Sequence, residues 1–154
     1  ARCAGGGGGP RAGLLKVSVG YRDGFIGEGQ ISYAGPGAEA RGRLALEILE
    51  ERLRVIGLEP SEIRGDLIGV DSVLGPRLSG KNAAPSEVRV RFAARVGSLE
   101  DATRIGAEVE AIYLNGPAGG GGFRRNITAQ IHTASILVDR NKLSPSVQYL
   151  GAEA

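Results

Sequence analysis

The stretch 113–122 reads YLNGPAGGGG, and its four consecutive glycines, Gly119 to Gly122, are followed by Arg124 and Arg125. Glycine N–H groups can form a nest for an anion, and guanidinium groups pair with phosphate oxygens. However, the run follows a predicted helix C-terminus, where the helix dipole is negative, and it contains neither GKS/GKT nor GxGxxG. Composition therefore favours a flexible connector at about two to one, with a phosphate site as the alternative.

A second candidate site is the sequence GEG, in which Glu28 stands between Gly27 and Gly29. A carboxylate on a glycine-lined strand could act as a general acid or base. The two glycines fall on one strand face and would let a ligand or another backbone lie flat against it. An exposed, functionally neutral face of a hairpin is the equally supported alternative.

Further polar side chains accompany these glycines. Asp71 follows a short apolar run, and ligands often meet the ends of buried strands. Tyr113 and Asn115 precede the glycine run directly. His132 is the single histidine, and no metal-ligand spacing surrounds it, so an ordinary strand residue is favoured over a general base.

Arg89, Arg91 and Arg95 share one face of a predicted strand. The interpretation favoured at about two to one is a solvated face or ion pairs with carboxylates across the sheet. The alternative is an anion-binding or protein-docking surface.

The composition is that of a globular protein, with 42% hydrophobic and 23% charged residues among 154. The net charge of +2 argues against a dedicated nucleic-acid binder, and no apolar run approaches the length of a membrane span. One cysteine, Cys3, excludes an internal disulfide and favours a reducing compartment, hence the cytoplasm, or the mitochondrion in a eukaryote. The chain lacks methionine, so we expect it to be a fragment.

Alternating and helical apolar patterns predict the elements that must position these residues. Leu15–Tyr21 and Phe25–Ala34 form two strands joined by a hairpin turn at Asp23-Gly24. The other elements are a helix after Gly37, a buried strand over 66–71, a strand over 88–96, a helix after Ser98 and a strand over 127–138. This order predicts an α+β sandwich of ferredoxin-like β-α-β-β-α-β order with an extra N-terminal hairpin strand, its two helices packed on a mixed, mainly antiparallel sheet. Residues 1–13 form a flexible linker, 14–143 a single domain, 144–154 a tail, and 74–86 a surface loop.

Four stretches carry a family resemblance: KVSVGYRDGFIGEGQISYAGPGA, DLIGVDSVLG, EVRVRFAAR and AEVEAIYLNGPAGGGG. Together they resemble the acyclic terpene utilisation family of the AtuA type, from about Leu15 to Arg140. The resemblance implies that the chain is the C-terminal half of a core domain whose N-terminal α/β half is absent.

The resemblance implies a pathway, the degradation of acyclic terpenes or branched acids as CoA thioesters, and it does not imply a reaction. No cofactor is identified; a CoA thioester is the candidate ligand. Because CoA carries phosphate groups, contact of the glycine run with a ligand or a partner chain becomes about as well supported as a flexible connector. Glu28, Asp71 and Tyr113 become candidate catalytic residues, and the candidate ligand-binding residues are Gly27, Gly29, Asn115, Gly119, Gly120, Gly121, Gly122, Arg124 and Arg125. The alternative is a non-catalytic module that forms homo-oligomers or docks onto a pathway enzyme such as an acyl-CoA carboxylase, with a large apolar patch on the open sheet face.

Overall fold

The computed structural model describes residues 5, 7–75, 77 and 85–148. The chain divides into two compact units. One, the main unit, is Arg22–Ile131, and the other, the ribbon unit, combines Ala1–Tyr21 with His132–Ala154. Parts of the predicted linker, of the 74–86 loop and of the tail (1–4, 6, 76, 78–84 and 149–154) lie outside the described residues, so those boundaries stay predictions.

The main elements are four strands and two helices. In chain order they are β1 (Leu14–Ala34), α1 (Ala38–Val55), β2 (Glu62–Ile68), β3 (Glu87–Val96), α2 (Leu99–Asn115) and β4 (Gly120–Asp139), followed by a 3-10 turn at Arg140–Lys142. The strands form one sheet in the order β2-β3-β1-β4, in which β3 pairs antiparallel with both β1 and β2. The predicted α+β class and ferredoxin-like order are confirmed.

The predicted hairpin turn at Asp23-Gly24 is wrong, because β1 continues through it as one strand. A two-residue type I′ turn needs positive φ at both central residues, and here only Gly24 has it, at 76°. From Phe25 onward, β1 finds its partner in β3, starting with Phe25 opposite Val96. Gly24 lies so close to that strand that a Cβ would be 2.4 Å from the Val96 carbonyl oxygen.

The core lies between the sheet and the two helices. The predicted apolar face of β3 is buried, and so are the helix positions Leu49 and Leu53 of α1 and Ile105 and Val109 of α2. The predicted start of α2 is also confirmed, since the Ser98 hydroxyl accepts the Asp101 N–H at 3.0 Å.

Two strands differ from the prediction in their extent. The strand predicted over 66–71 spans Glu62–Ile68 and lies at the edge of the sheet. Most of its residues are exposed, so the prediction of a buried strand is wrong. The strand ends where Gly69 adopts φ 95°, so Asp71 falls in the following turn. β4 begins at Gly120, seven residues before the predicted Ile127, and it therefore includes most of the glycine run.

The ribbon unit contains the first part of β1 and the last part of β4. Tyr21 and His132 meet edge to face with ring centroids 6.1 Å apart, and the Arg140 N–H donates to the Gly13 carbonyl at 2.9 Å. Since the residue just before β1 contacts the residue just after β4, whereas a later residue of β1 contacts an earlier residue of β4, these two parts of β1 and β4 run antiparallel. His132 is thus a strand residue in ring contact with Tyr21, as favoured from the sequence.

Candidate functional site

The side of the sheet that the helices do not cover, here called the open face, carries polar side chains. In β1, Gly27 and Gly29 point to the helices, so alternation directs the residues between them to the open face. The polar side chains of β1, β2 and β3 on this face are Glu28, Gln30, Ser32, Arg89, Arg91, Arg95, Glu62, Arg64 and Asp66, and the smaller apolar share comes from Ile26, Ile68 and Ala93. The large apolar patch predicted for this face is therefore wrong.

Arg91 is the centre of the open face. Its Nε donates to Glu28 at 2.8 Å and its Nη1 to Asp66 at 3.0 Å, so it joins strands β1 and β2. The hydrogen bond to Glu28 raises the pKa of Arg91, burial lowers it, and Asp66 raises it further. The interpretation of the arginine stripe as ion pairs across the sheet is confirmed for Arg91 and Arg95, whose carboxylate partners come from the neighbouring strands, whereas Arg89 bonds to neutral groups.

A continuous chain of hydrogen bonds leads from Glu28 to the glycine run. The second oxygen of Glu28 accepts from Gln30 Nε2 at 2.5 Å, and the side-chain oxygen Oε1 of Gln30 accepts from Arg89 Nε at 2.6 Å. Arg89 also donates to the Ser32 hydroxyl at 3.0 Å and to the Gly122 carbonyl at 3.3 Å. Because both oxygens of Glu28 already accept hydrogen bonds, the arrangement suits a positioning role better than that of a free base.

Residues 116–122, here called the glycine segment, are fixed by Arg41 of α1. The Arg41 guanidinium donates to the Ala118 carbonyl at 2.7 Å and to the Ala34 carbonyl at 2.6 Å. It thereby ties the segment to the end of β1. No sequence pattern indicates this contact, because the acceptors are main-chain carbonyls that no residue type reveals.

Beneath the glycine segment lies Tyr33, which is fully buried. A Cβ on Gly120 would lie 3.3 Å from its ring, and Arg41 stands over that ring at 5.8 Å from the centroid. The Tyr33 hydroxyl has no hydrogen-bond partner among the described residues. Burial raises the pKa of this hydroxyl, although the Arg41 charge acts in the opposite direction.

We expect Tyr33→Phe to raise the free energy of unfolding by about 1 kcal/mol near pH 7, because a buried hydroxyl without a partner destabilises the fold. A tyrosine in the unfolded chain ionises near pH 10, whereas Tyr33 keeps its proton to higher pH. The wild type should therefore lose stability as the pH rises above about 10, and the variant should lose less. Urea unfolding from pH 7 to 11 measures both effects; a loss of stability in the variant at pH 7 would show that the hydroxyl has a partner.

Gly27 and Gly29 are packed against α2. A Cβ on Gly27 would lie 2.3 Å from the Ala102 carbonyl oxygen, and one on Gly29 would lie 2.4 Å from the Val109 Cβ. The prediction that a ligand lies flat against these glycines does not fit this placement, because the helix occupies that space. The other use of glycine, close approach of another backbone, is the one observed.

Three predicted site residues lie apart from Glu28. Asp71 accepts from Arg43 of α1 at 3.3 Å, on the helix side of β2. Tyr113 is half exposed in the last turn of α2. Asn115 ends that helix and donates to the Ala111 carbonyl at 3.1 Å. The structure thus does not bring the three predicted catalytic residues Glu28, Asp71 and Tyr113 together.

Asp71 contributes to a groove beside β2, here called the edge groove, with a volume of about 440 Å³. The groove is lined by Arg43 and Leu46 of α1, residues 64–67 of β2 and residues 71–75 of the following turn. A smaller depression of about 220 Å³ lies on the open face, lined by Ile26, Glu62, Arg64, Arg91, Ala93, Ala94 and Arg95.

The two arginines after the glycine run lie on opposite sides of the sheet. Phe123 packs against the core and Arg125 contacts Gly106 of α2, so both point to the helices. Arg125 also approaches Glu110 of α2 at 3.8 Å. Arg124, between them in the strand, is exposed on the open face, and its one hydrogen bond among the described residues goes to the Phe123 carbonyl.

Within the described part of the chain, no group of three or more His, Cys, Asp or Glu side chains could hold a metal ion. None of the helices described there is long and apolar enough to cross a membrane.

The fold and the open face define the class of protein: an α+β sandwich of ferredoxin-like order with a polar, uncovered sheet face. Residues 1–149 match the model of the family described as "Acyclic terpene utilisation family protein AtuA", and the chain belongs to this family. A comparison with curated proteins found no match. Among solved structures, the chain is similar to the "De novo designed protein Ferredog-Diesel", with 22% identity over 69% of this chain and 88% of that chain and a TM-score of 0.40.

Proposed function

We propose that this chain binds an acyl-CoA thioester of acyclic terpene or branched-acid catabolism on its open face, with the phosphate groups of CoA beside the glycine segment. Membership of the AtuA family supports the pathway. The observation that carries the proposal is the position of Arg89, which bonds both to Gln30 next to Glu28 and to the Gly122 carbonyl. The two motifs that the sequence singled out therefore border one surface.

Arg124 supplies the positive charge at the phosphate end of this surface. It makes no ion pair among the described residues, whereas Arg91 and Arg95 both pair with carboxylates. A guanidinium group without a carboxylate partner can bind two phosphate oxygens at once. The space beside Gly121 is open to a ligand, since a Cβ there would have no atom within 4 Å.

The depression on the open face can take the acyl end of the ligand. Ile26 and Ala93 give it an apolar floor, and Arg91 borders it. Apolar lining with a few fixed polar groups is the usual character of a small-molecule site. In this arrangement Glu28 accepts hydrogen bonds from Arg91 and Gln30 and so positions Arg91 beside the acyl group. Glu28 itself does not act on the substrate.

Calorimetric titration of the chain with CoA and with a branched acyl-CoA tests this proposal. We expect saturable binding that Arg124→Ala weakens by about tenfold, which corresponds to the loss of one charge-assisted contact. The matched control is Arg125→Ala, which removes the same side chain from the adjacent residue on the helix side and should leave the affinity unchanged.

Circular dichroism should show that both variants remain folded. Binding without any difference between the two variants would exclude the open face as the phosphate site. No saturable heat with a folded wild-type chain would contradict binding of the thioester by this chain.

A further inference from the structure

In the part of the chain that the structure describes, β2 is an edge strand of the sheet. Among the described residues, β3 is its strand partner on one side and no strand lies on the other. Its first four residues, from Glu62 to Gly65, are all exposed. Unpaired N–H and C=O groups on such an edge are a template for another strand.

The sequence of β2 is complementary to itself. If two copies run antiparallel about an axis at Gly65, Arg64 of each lies opposite Asp66 of the other, on the open face. Opposite charges in directly facing positions stabilise a strand pair, and like charges destabilise it. We propose that two copies of this chain pair along β2 in this register, joining their sheets edge to edge across a two-fold axis.

The same register matches the apolar side of β2 to the edge groove. Ile63 points to the helix side and leaves 42% of its surface exposed. In the proposed pair it lies opposite Leu67 of the other copy, which lines the edge groove together with Leu46 and Leu74. Leu74 is itself 60% exposed, so the two copies bury exposed apolar groups on each other.

Gly65 is well suited to the axis position. Leu46 of α1 already covers it, since a Cβ there would lie 2.9 Å from the Leu46 Cδ2. With no side chain at the axis, the two backbones can approach without displacing either leucine. An isologous pair of this kind uses one patch twice, as in most homodimers.

The mass in solution, measured by light scattering over a range of concentrations, is the first test, and we expect a dimer. Register is tested by a spin label at Glu62→Cys in a Cys3→Ser background. Glu62 is three residues from the axis, so the two Cα atoms should lie about 20 Å apart. An axis displaced by two residues would change this separation by about 13 Å.

Two variants distinguish the proposed edge from another interface. Arg64→Glu places two like-charge pairs across the axis, and Ile63→Asp places a charge in the edge groove; each should raise the dissociation constant about tenfold or more. Arg54→Glu, an exposed site on α1 that pairs with Glu51, makes the same change in net charge and should leave the dimer intact.

A monomer at 100 μM, or a dimer that both variants leave unchanged, would overturn the proposal. Thermal unfolding of each variant confirms that loss of the dimer is not loss of the fold. Ile63→Asp separates this test from the CoA titration, because Ile63 lies on the helix side of β2 and does not line the depression proposed for the acyl group, whereas Arg64 does.

Discussion

Gly27→Ala is expected to lower the free energy of unfolding by about 3 kcal/mol, the upper end of the usual cost of overpacking. The added Cβ would lie 2.3 Å from the Ala102 carbonyl oxygen and 2.9 Å from the Ala102 Cα. These are backbone atoms of α2, so no side-chain rotation can relieve the contact. The helix would have to lift from the sheet, and the apolar contacts beside it would open.

Urea unfolding measures this effect, and Gly97→Ala is the matched control. Gly97 follows β3, has no atom within 4 Å of a built Cβ and does not need a positive φ, so its replacement should change stability by less than about 0.5 kcal/mol. If Gly27→Ala instead kept full stability and lost acyl-CoA binding, the glycine would serve the ligand rather than the packing of α2.

Arg91→Met is expected to destabilise the fold by about 2–3 kcal/mol. Arg91 is 30% exposed and separates Glu28 and Asp66, whose side chains are only 14% and 12% exposed. Removing the cation leaves two largely buried carboxylates without their shared partner. The expected loss is below that of a fully buried pair, because the open face still reaches water.

A double-mutant cycle isolates this interaction. Glu28→Gln combined with Arg91→Met should cost at least 1 kcal/mol less than the sum of the two single changes, because the double variant carries no unpaired charge at position 28. Arg54→Met is the control, since Arg54 is 72% exposed and its pair with Glu51 should contribute less than about 0.5 kcal/mol. Additive effects at 28 and 91 would mean that the two side chains act independently.

Local patterns were sufficient to predict the helices, the buried face of β3 and the fold class, because burial has a fixed period in each kind of element. The turn at Asp23-Gly24 could not be decided locally. A strand that follows an Asp-Gly pair can return on itself or continue toward a distant partner, and here the partner is Val96 and the residues before it. The choice depends on pairing that no short window of sequence contains.

The sequence was sufficient to predict which residues belong to the candidate site, but not which of them contact each other. Glu28 and the three arginines of β3 were recognisable from their types and alternation. Their contacts depend on the strand register, in which Arg91 lies opposite Gln30 of β1 and opposite Asp66 of β2. A shift of one residue in either register would move the side chains of that strand to the other face of the sheet. Arg41 gave no signal at all, since its role depends on carbonyl groups brought together by the fold.

The pairing of β1 with β3 has a consequence for how the chain folds. The paired residues, from Phe25 with Val96 to Ala34 with Glu87, are roughly 50 to 70 residues apart in sequence. Forming such a pair closes a long loop, and the entropy of the loop is lost before the contacts of the pair compensate for it. We therefore expect this chain to fold more slowly than most small domains. During synthesis, β4 emerges after the other three strands, and its stretch from Asn126 to Val138 carries no Asp, Glu, Lys or Arg. Until it joins β1, this uncharged strand is the part of the chain most exposed to pairing with other copies.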